Sequence, residues 1–344
     1  MGHQLWHRLY VIILLLLGVT MLNGDVWAGE YPNSEQCTRV KGVKPPQTDM
    51  PSKQLAASLT DCDPQDLYYS QKGNQHSSEA DWDKVRACAF AKNDDAVLMM
   101  LYANGFGVKQ NPDLAVRYAC TAESAPAEME FRIERLVKIS KDGSEKGKIF
   151  DQCDEVTSGY MMGHCAQLDE QQGDKDVNKR LGDISSHLNP AQKAAFEKLR
   201  SAAFAFAEAR GHHETAEMGS MRGSVATQIR EDEKNQFLSD LEQIEKGMVP
   251  SDTQDQFTAL DEQLNQAYQS VMHAPTTGEN EGLNDGEVTK KDVRETQRVW
   301  LKYRDAWVAF GQARYPSVAP YSWRALLTQR RIKELKELLT EPEE

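Results

Sequence analysis

The sequence predicts an all-α protein, and three observations lead to that fold class. Residues 295–314 contain no proline and a single glycine, and side chains recur there at the three- and four-residue steps of one helix face. The residues of this face are Gln297, Trp300, Arg304, Trp307 and Gly311. Residues 96–119 are typical of a helix, a tight glycine-containing loop and a second helix. No stretch alternates β-branched and polar residues over the length of a strand.

The beginning of the chain is typical of an export signal. Arg8 precedes an apolar run over residues 9–22, and Val26-Trp27-Ala28 has the small-x-small pattern of a signal-peptidase site. The run is shorter than the roughly 20 residues that a transmembrane helix needs, although an uncleaved anchor is the alternative. We therefore predict that residues 1–28 are removed and that the protein is periplasmic or secreted, without a membrane attachment.

The net charge limits the classes of partner. The formal charge of the chain is -13, and phosphate binding relies on a basic surface, so nucleic acid is excluded as the expected partner. The field of an acidic protein would instead attract and steer a cationic protein. Acidity that serves only solubility is an equally good explanation, so charge alone does not identify the partner.

All six cysteines lie in the first half of the chain. They are Cys37, Cys62, Cys88, Cys120, Cys153 and Cys165. An even number of cysteines behind an export signal favours disulfides in an oxidising compartment over metal or redox chemistry. No two of them have C-x-x-C spacing. Cys153 with Cys165 is the favoured pair because the loop between them is short, and the other pairings stay open.

The first half of the mature chain divides into two regions. Residues 29–60 are polar and contain prolines, so we expect an extended lead-in that Cys37 fastens. Residues 61–145 read as helical hairpins, with Gly105 and Gly107 supplying backbone freedom in a turn and Pro112 beginning the next helix. This region resembles Sel1-like repeats, which are relatives of the tetratricopeptide hairpin. The resemblance implies an interaction scaffold built by stacking.

The second half of the chain carries an internal repeat. Residues 196–210 align without gaps on residues 300–314, and seven of the fifteen positions are identical at a constant offset of 104. Matching motifs flank both segments in the same order. They are Asp174-x-x-Val177-Asn178 with Asp261-x-x-Leu264-Asn265, and Thr227-Gln228-x-Arg230 with Thr328-Gln329-x-Arg331. We predict two three-helix units at 146–248 and 254–340. Two unrelated amphipathic helices that share residues by chance are the alternative.

The second unit carries three motifs that resemble the lysozyme inhibitor LprI-like N-terminal domain family. They are Asp261-x-x-Leu264-Asn265-x-x-Tyr268, Gln297-x-x-Trp300-x-x-Tyr303-Arg304-Asp305, and Leu327-Thr328-x-x-Arg331-Ile332. The resemblance covers about residues 255–339. It implies an exported binding protein that protects the cell wall by occluding a c-type lysozyme. The family usually has cysteines in this domain, whereas this copy has none; the first, diverged copy keeps Cys153 and Cys165 ahead of Asp174.

The family-motif residues are the candidate site. They are Asp261, Asn265, Tyr268, Gln297, Trp300, Tyr303, Arg304, Asp305 and Arg331. In one interpretation they form a seam between helices, in which Arg304 pairs with Asp261 or Asp305 and Asn265 bonds to a neighbouring helix. In the other, part of the cluster or the adjoining loop 313–321 contacts a protein partner. A charged side chain is costly to bury unpaired, so the first interpretation requires partners for the arginines.

No motif indicates an enzyme, a cofactor or a metal. The segment 143–148 imitates a phosphate loop but has the wrong spacing, and Asp174-x-Asp176-x-Asn178 lacks the glycine of a calcium loop. His212-His213-Glu214 does not match H-E-x-x-H, and we place it in a loop between helices. The sequence therefore favours a lysozyme-binding protein. An envelope scaffold that uses the Sel1-like hairpins is the alternative, and a peptidoglycan hydrolase is the third and least supported reading.

Overall fold

The computed structural model describes residues 35–74, 76–142, 148–278, 281–283 and 286–340, so the predicted export signal lies outside the described residues. Within these ranges the protein is all-α, as predicted, apart from one pair of two-residue strands. The helices are α1 Glu35–Val40, α2 Lys53–Ser58, α3 Pro64–Lys72, α4 Glu79–Lys92, α5 Asp95–Asn104, α6 Pro112–Ala119, α7 Pro126–Asp142, α8 Gly159–Ser186, α9 Pro190–His213, α10 Arg222–Glu245, α11 Gln254–His273, α12 Lys290–Arg314 and α13 Pro320–Glu337. The antiparallel strands β1 Thr276–Thr277 and β2 Gly282–Leu283 lie in the α11–α12 connection.

The helix ends follow the local sequence signals. Helix α9 begins at Pro190 behind the N-cap Asn189, because the missing N–H of proline costs nothing in the first turn of a helix. Helix α12 begins with a capping box, in which the Thr289 side chain accepts from the Asp292 N–H and Asp292 accepts from the Thr289 N–H. It ends at Arg314, directly before Tyr315-Pro316, because proline disfavours helix for the residue that precedes it. The predicted helix over residues 295–314 is confirmed, and it begins earlier, at Lys290.

The helical hairpin at 95–119 is also confirmed. Gly105 caps α5 with φ +74°, and Gly107 follows with φ +62°, so both take the left-handed backbone that favours glycine. A Cβ on Gly107 would lie 2.8 Å from the Cβ of Trp82 on α4. Helices α3 and α4 form the preceding hairpin. The assignment of both hairpins to Sel1-like repeats stays a prediction.

The expected extended lead-in at 29–60 is wrong for the part that the structure describes. Residues Glu35–Val40 and Lys53–Ser58 are helices. Helices this short are not stable in isolation, so their sequence carries little propensity signal. Tertiary contacts hold α1 instead, because Val40 is buried in the N-terminal core and Cys37 is bonded to Cys120 at the end of α6.

The six cysteines form three disulfides. They are Cys37–Cys120, Cys62–Cys88 and Cys153–Cys165, the last being the pair that the sequence favours. The first two fasten the N-terminal segment and the α1–α3 region to the helical hairpins, and the third closes the loop before α8. Such a set of disulfides persists in an oxidising compartment. No helix among the described residues has the length and apolarity needed to cross a bilayer.

The described residues form two hydrophobic cores, and α8 contributes to both. Its first half places Leu168 in the N-terminal core, whereas Val177 and Leu181 belong to the C-terminal core. The segment before α8 also joins the N-terminal core, since Phe150 is buried there and its N–H donates to Asn104 Oδ1 at 2.7 Å. Residues before and after the predicted domain boundary near residue 146 therefore pack into the same N-terminal core. The boundary itself stays a prediction.

An antiparallel pair of helices, α9 and α12, forms the centre of the C-terminal core. Phe196 packs against Phe310 at 5.8 Å between ring centroids, and Phe206 stacks on Tyr303 at 5.5 Å. Helices α8 and α10 pack together beside α9, and α11 and α13 pack together beside α12. This arrangement places the C-terminal end of α9 and the middle of α10 beside α13, where several charged side chains are buried.

Replacing Gly311 with alanine is expected to destabilise the protein by about 1–3 kcal/mol. A Cβ at this position of α12 would lie 2.3 Å from the Trp323 ring, which is fully buried on α13. The matched control is Gly182→Ala in α8, where a Cβ meets nothing within 4 Å and alanine should stabilise the helix by about 0.5–1 kcal/mol. Chemical denaturation measures both. A gain of stability at both positions would contradict this close packing.

Candidate functional site

The nine family-motif residues separate into a buried group and an exposed group. Trp300, Tyr303 and Arg331 are almost inaccessible to solvent, with Gln297 and Tyr268 half-buried beside them. Asn265 and Asp305 are exposed, and Asp261 and Arg304 are intermediate. The structure therefore divides the predicted site between the α12–α13 core and the outer surface of α11 and α12.

Arg331 on α13 is the centre of a buried ion network. Its Nη1 and Nη2 donate to both carboxylate oxygens of Glu214 at 2.7 and 2.5 Å, and Nη1 also donates to Glu334 at 3.0 Å. Its Nε donates to Gln297 Oε1 at 2.8 Å, which gives the motif glutamine a structural partner. Burial would lower the pKa of Arg331, but the charges and hydrogen bonds of Glu214 and the charge of Glu334 raise it above its ordinary value.

A second arginine completes this network from the other unit. Arg210 on α9 contacts Glu233 at 2.7 Å, Glu214 at 3.3 Å and Glu334 at 3.6 Å. Two arginines thus face three glutamates in the interior. Burial and the neighbouring charge of Glu334 raise the pKa of Glu233, so the network favours a proton on this carboxyl more than water does. The network therefore links α9, α10, α12 and α13 through ion pairs and hydrogen bonds.

The sequence identified Arg331 and Gln297 but not the three acids or Arg210 as their partners. The predicted loop at His212-His213-Glu214 is wrong, because α9 continues through His213 and Glu214 caps it. Glu214 then turns inward to reach an arginine 117 residues away along the chain. Only Glu334 carried a local signal, since a residue three positions from Arg331 lies on the same helix face.

The exposed group forms a small charged cluster on the surface of α11 and α12. The guanidinium of Arg304 lies 3.3 Å from Asp305, 4.0 Å from Asp261 and 5.3 Å from the Trp300 ring. The expected bond of Asn265 to a neighbouring helix is wrong, because its amide donates at 3.5 Å to Asp261, one turn away on its own helix. An exposed side chain can form its hydrogen bonds within its own helix or with water, so Asn265 does not need a partner on a neighbouring helix.

The loop at 313–321 is held by defined contacts. The Tyr315 hydroxyl donates to Glu245 Oε1 at 2.9 Å, and Arg314 pairs with the same carboxylate at 2.9 Å. Gln312 donates to the carbonyl of Val318 at 2.7 Å. This loop is thus attached to the end of α10. A role for it, or for the exposed cluster, in partner binding stays a prediction.

Replacing Arg304 with alanine is expected to cost at most about 2 kcal/mol of folding stability. Its pairs with Asp261 and Asp305 involve half-exposed or exposed carboxylates, and such ion pairs contribute little. The contact with the Trp300 ring adds an amount of the same order. Thermal denaturation checks this, with the exposed Arg298→Ala on the same helix as control. A loss of about 3 kcal/mol or more would show that Arg304 belongs to the buried seam.

One group among the described residues has the composition of a metal site. It combines His213 of α9 with Asp292 and Glu295 of α12, and one ligand atom of each residue lies within 4.8 Å of the others. The group lies at the opposite end of the α9–α12 pair from the loop at 313–321. Sequence reasoning missed it because His213 is about eighty positions away from Asp292 and Glu295 along the chain.

Comparisons with known proteins give one match. Residues 250–335 match the family described as "Lysozyme inhibitor LprI", which is about a quarter of the chain and contains all nine candidate site residues. No curated protein and no solved structure matches the chain. The match supports a function of the lysozyme-inhibitor type in general terms.

Proposed function

We propose that this is an exported protein that binds and inhibits a cationic lysozyme, of the c-type, and thereby protects the cell wall. The observation that carries the proposal is the match of residues 250–335 to the lysozyme inhibitor family. The bound partner is a protein, and the proposal includes no catalytic residue, no cofactor and no nucleic acid. Cleavage after Ala28 and a periplasmic or secreted location belong to the same proposal, which the three disulfides support.

The electrostatics of the chain favour such a partner. A formal charge of -13 attracts a strongly basic enzyme over a distance comparable to the Debye length, which raises the association rate at low ionic strength. Salt screens this attraction. Inhibition that depends on charge steering therefore weakens as the ionic strength rises.

The exposed cluster on α11 and α12 is the part of the motif that can reach a partner. Asp305 keeps 63% of its side-chain surface and Asp261 keeps 43%, whereas Trp300, Tyr303 and Arg331 are enclosed. We propose that these two carboxylates contact basic side chains of the lysozyme. The buried motif residues then serve to hold α11, α12 and α13 in register beneath the contact surface.

We also propose that residues 146–248 are a diverged copy of the matched domain. The second helix of each unit packs antiparallel against the second helix of the other, and each unit has three long helices. In the first unit Arg200 donates to Asn178 Oδ1 at 3.0 Å, which links the second helix to the first as Arg304 and Asp261 do in the second unit. These three features support a duplication in addition to the sequence repeat.

A scaffold function of the N-terminal region is the second candidate, and one surface feature favours it. A cavity of about 400 Å³ opens between the α3–α6 hairpins and the start of α8. Acidic side chains line it, among them Asp94, Asp95 and Glu123, and the adjoining Tyr160 is 73% exposed. An acidic cleft beside an exposed aromatic ring suits a basic peptide segment.

Binding and inhibition assays with a c-type lysozyme distinguish the two functions. They use the oxidised chain without residues 1–28, at low and at high ionic strength. The lysozyme proposal expects salt-sensitive inhibition that the double variant Asp261→Asn/Asp305→Asn weakens about tenfold or more, as for a loss of about 1.4 kcal/mol. The control variant Asp183→Asn removes an exposed charge from α8 and should not have this effect. Absence of binding at both ionic strengths overturns the proposal. Binding that only Tyr160→Ala weakens favours the N-terminal scaffold.

A further inference from the structure

His213 connects the two helical units at one end of the α9–α12 pair. It is the last residue of α9, and its ring faces the first turn of α12. Its Nδ1 lies 3.1 Å from Asp292 Oδ1, and its Nε2 lies 3.8 Å from Glu295 Oε2. Asp292 and Glu295 are three residues apart, so both carboxylates project from the same face of α12.

Two features prepare this group to receive a ligand. The capping box holds one oxygen of Asp292, since Oδ2 accepts from the N–H of Thr289 at 3.0 Å and from its hydroxyl at 2.5 Å. The other oxygen is thereby directed at His213. The group is also open to solvent, because the three side chains keep 24%, 26% and 41% of their surface and His213 lines a cavity of about 520 Å³ at the α9–α10 turn.

We propose that His213, Asp292 and Glu295 bind a divalent transition-metal ion of the zinc type. One imidazole nitrogen and two carboxylate oxygens are accepted ligands of Zn²⁺ at about 2.0–2.2 Å, and three protein ligands leave the fourth position to water. The ligand atoms now span up to 4.8 Å, so small side-chain rotations bring them to the spacing that such bonds require. The imidazole disfavours Ca²⁺ and Mg²⁺, which take oxygen ligands.

The position of the site gives the ion a structural effect. It would cross-link the end of α9 to the start of α12, two elements that are about eighty residues apart in the chain and belong to different units. An ion that binds only the folded protein raises its melting temperature. Lys291 lies 3.9 Å from Glu295 but keeps 77% of its surface, so it can turn into solvent when the ion enters. This inference does not depend on lysozyme binding.

A competing arrangement explains the same distances without an ion. A protonated His213 would form an ion pair with each carboxylate, one through each ring nitrogen. The two arrangements differ in their response to added metal, because a metal ligand must be the neutral imidazole and binding releases protons. Zn²⁺ should therefore raise the melting temperature if it binds, whereas the ion-paired arrangement is indifferent to zinc.

The test is calorimetric titration of the metal-free chain lacking residues 1–28 with Zn²⁺, and in parallel with Ca²⁺, followed by thermal denaturation. We expect one Zn²⁺ per chain, a higher melting temperature with Zn²⁺, and no comparable effect of Ca²⁺. The variants His213→Ala and Glu295→Gln should abolish the single site, while His273→Ala, which removes an exposed histidine from α11, should leave it intact. Equal zinc binding by His213→Ala and the unaltered chain overturns the proposal, as does the absence of binding.

Thr289→Ala tests the supporting contact rather than a ligand. Loss of the hydroxyl that orients Asp292 should weaken Zn²⁺ binding by about 10- to 100-fold without changing the stoichiometry. Ser52→Ala, which removes the equivalent N-cap of the remote α2, is the control. If Thr289→Ala and Ser52→Ala bind zinc equally well, the Thr289 hydroxyl does not position Asp292 for the ion.

Discussion

Replacing Arg331 with methionine is expected to lower the free energy of unfolding by about 3–5 kcal/mol. The guanidinium is fully buried, and its removal leaves Glu214, which is equally buried, with the 3.3 Å contact to Arg210 as its remaining ion pair among the described residues. Methionine preserves most of the volume, so the loss reports the unpaired carboxylate rather than a cavity. Chemical denaturation of the purified chain measures it.

Two further variants show whether the ion network is the cause. Arg298→Met removes an exposed arginine from α12 and should change stability by less than about 0.5 kcal/mol. Glu214→Gln combined with Arg331→Met should recover part of the loss, because a neutral amide is less costly to bury than an unpaired carboxylate. If the double variant is as unstable as the two single losses added together, Arg331 and Glu214 act independently and the network is not cooperative.

Much of the helical framework was predictable, because its signals are local. The spacing of Trp300, Arg304 and Trp307 along one face requires only neighbours on the same helix, and α12 follows it. Pro190 and Pro112 mark the starts of their helices for the same reason. The short helices α1 and α2 were not predictable, since disulfide and core contacts from remote residues hold α1 in place.

The candidate site was predictable only in part, because its most important contacts are not local. Arg331 was recognised as a motif residue, but Glu214 enters the core only because α9 ends beside α13. The amino-acid sequence does not show how close the end of α9 lies to α13. Asn265 shows the opposite error. Its side chain was expected to bond to a neighbouring helix, but it is exposed. The histidine–carboxylate group needed the same missing information, namely which helix ends meet.

The second large effect is expected at Trp323, whose replacement by alanine should destabilise the protein by about 3–5 kcal/mol. The ring is fully buried, stacks parallel to Trp307 at 6.1 Å between centroids, and covers Gly311. Removing it leaves a cavity between α12 and α13 that the surrounding helices cannot fill without shifting. Thermal or chemical denaturation measures the loss, and near-ultraviolet circular dichroism follows the packing of Trp307.

Trp323→Phe is the informative companion variant. The Nε1 of Trp323 makes no hydrogen bond to any described residue, so a phenyl ring removes an unpaired donor while it keeps most of the stacking. Its cost should therefore be well below that of alanine. Because α13 also carries Arg331, a loose α12–α13 seam would disturb the buried ion network as well as the position of Asp305 on the outer face of α12. If alanine costs as little as phenylalanine, the indole does not hold this seam, and the stability of the C-terminal unit rests on the ion network instead.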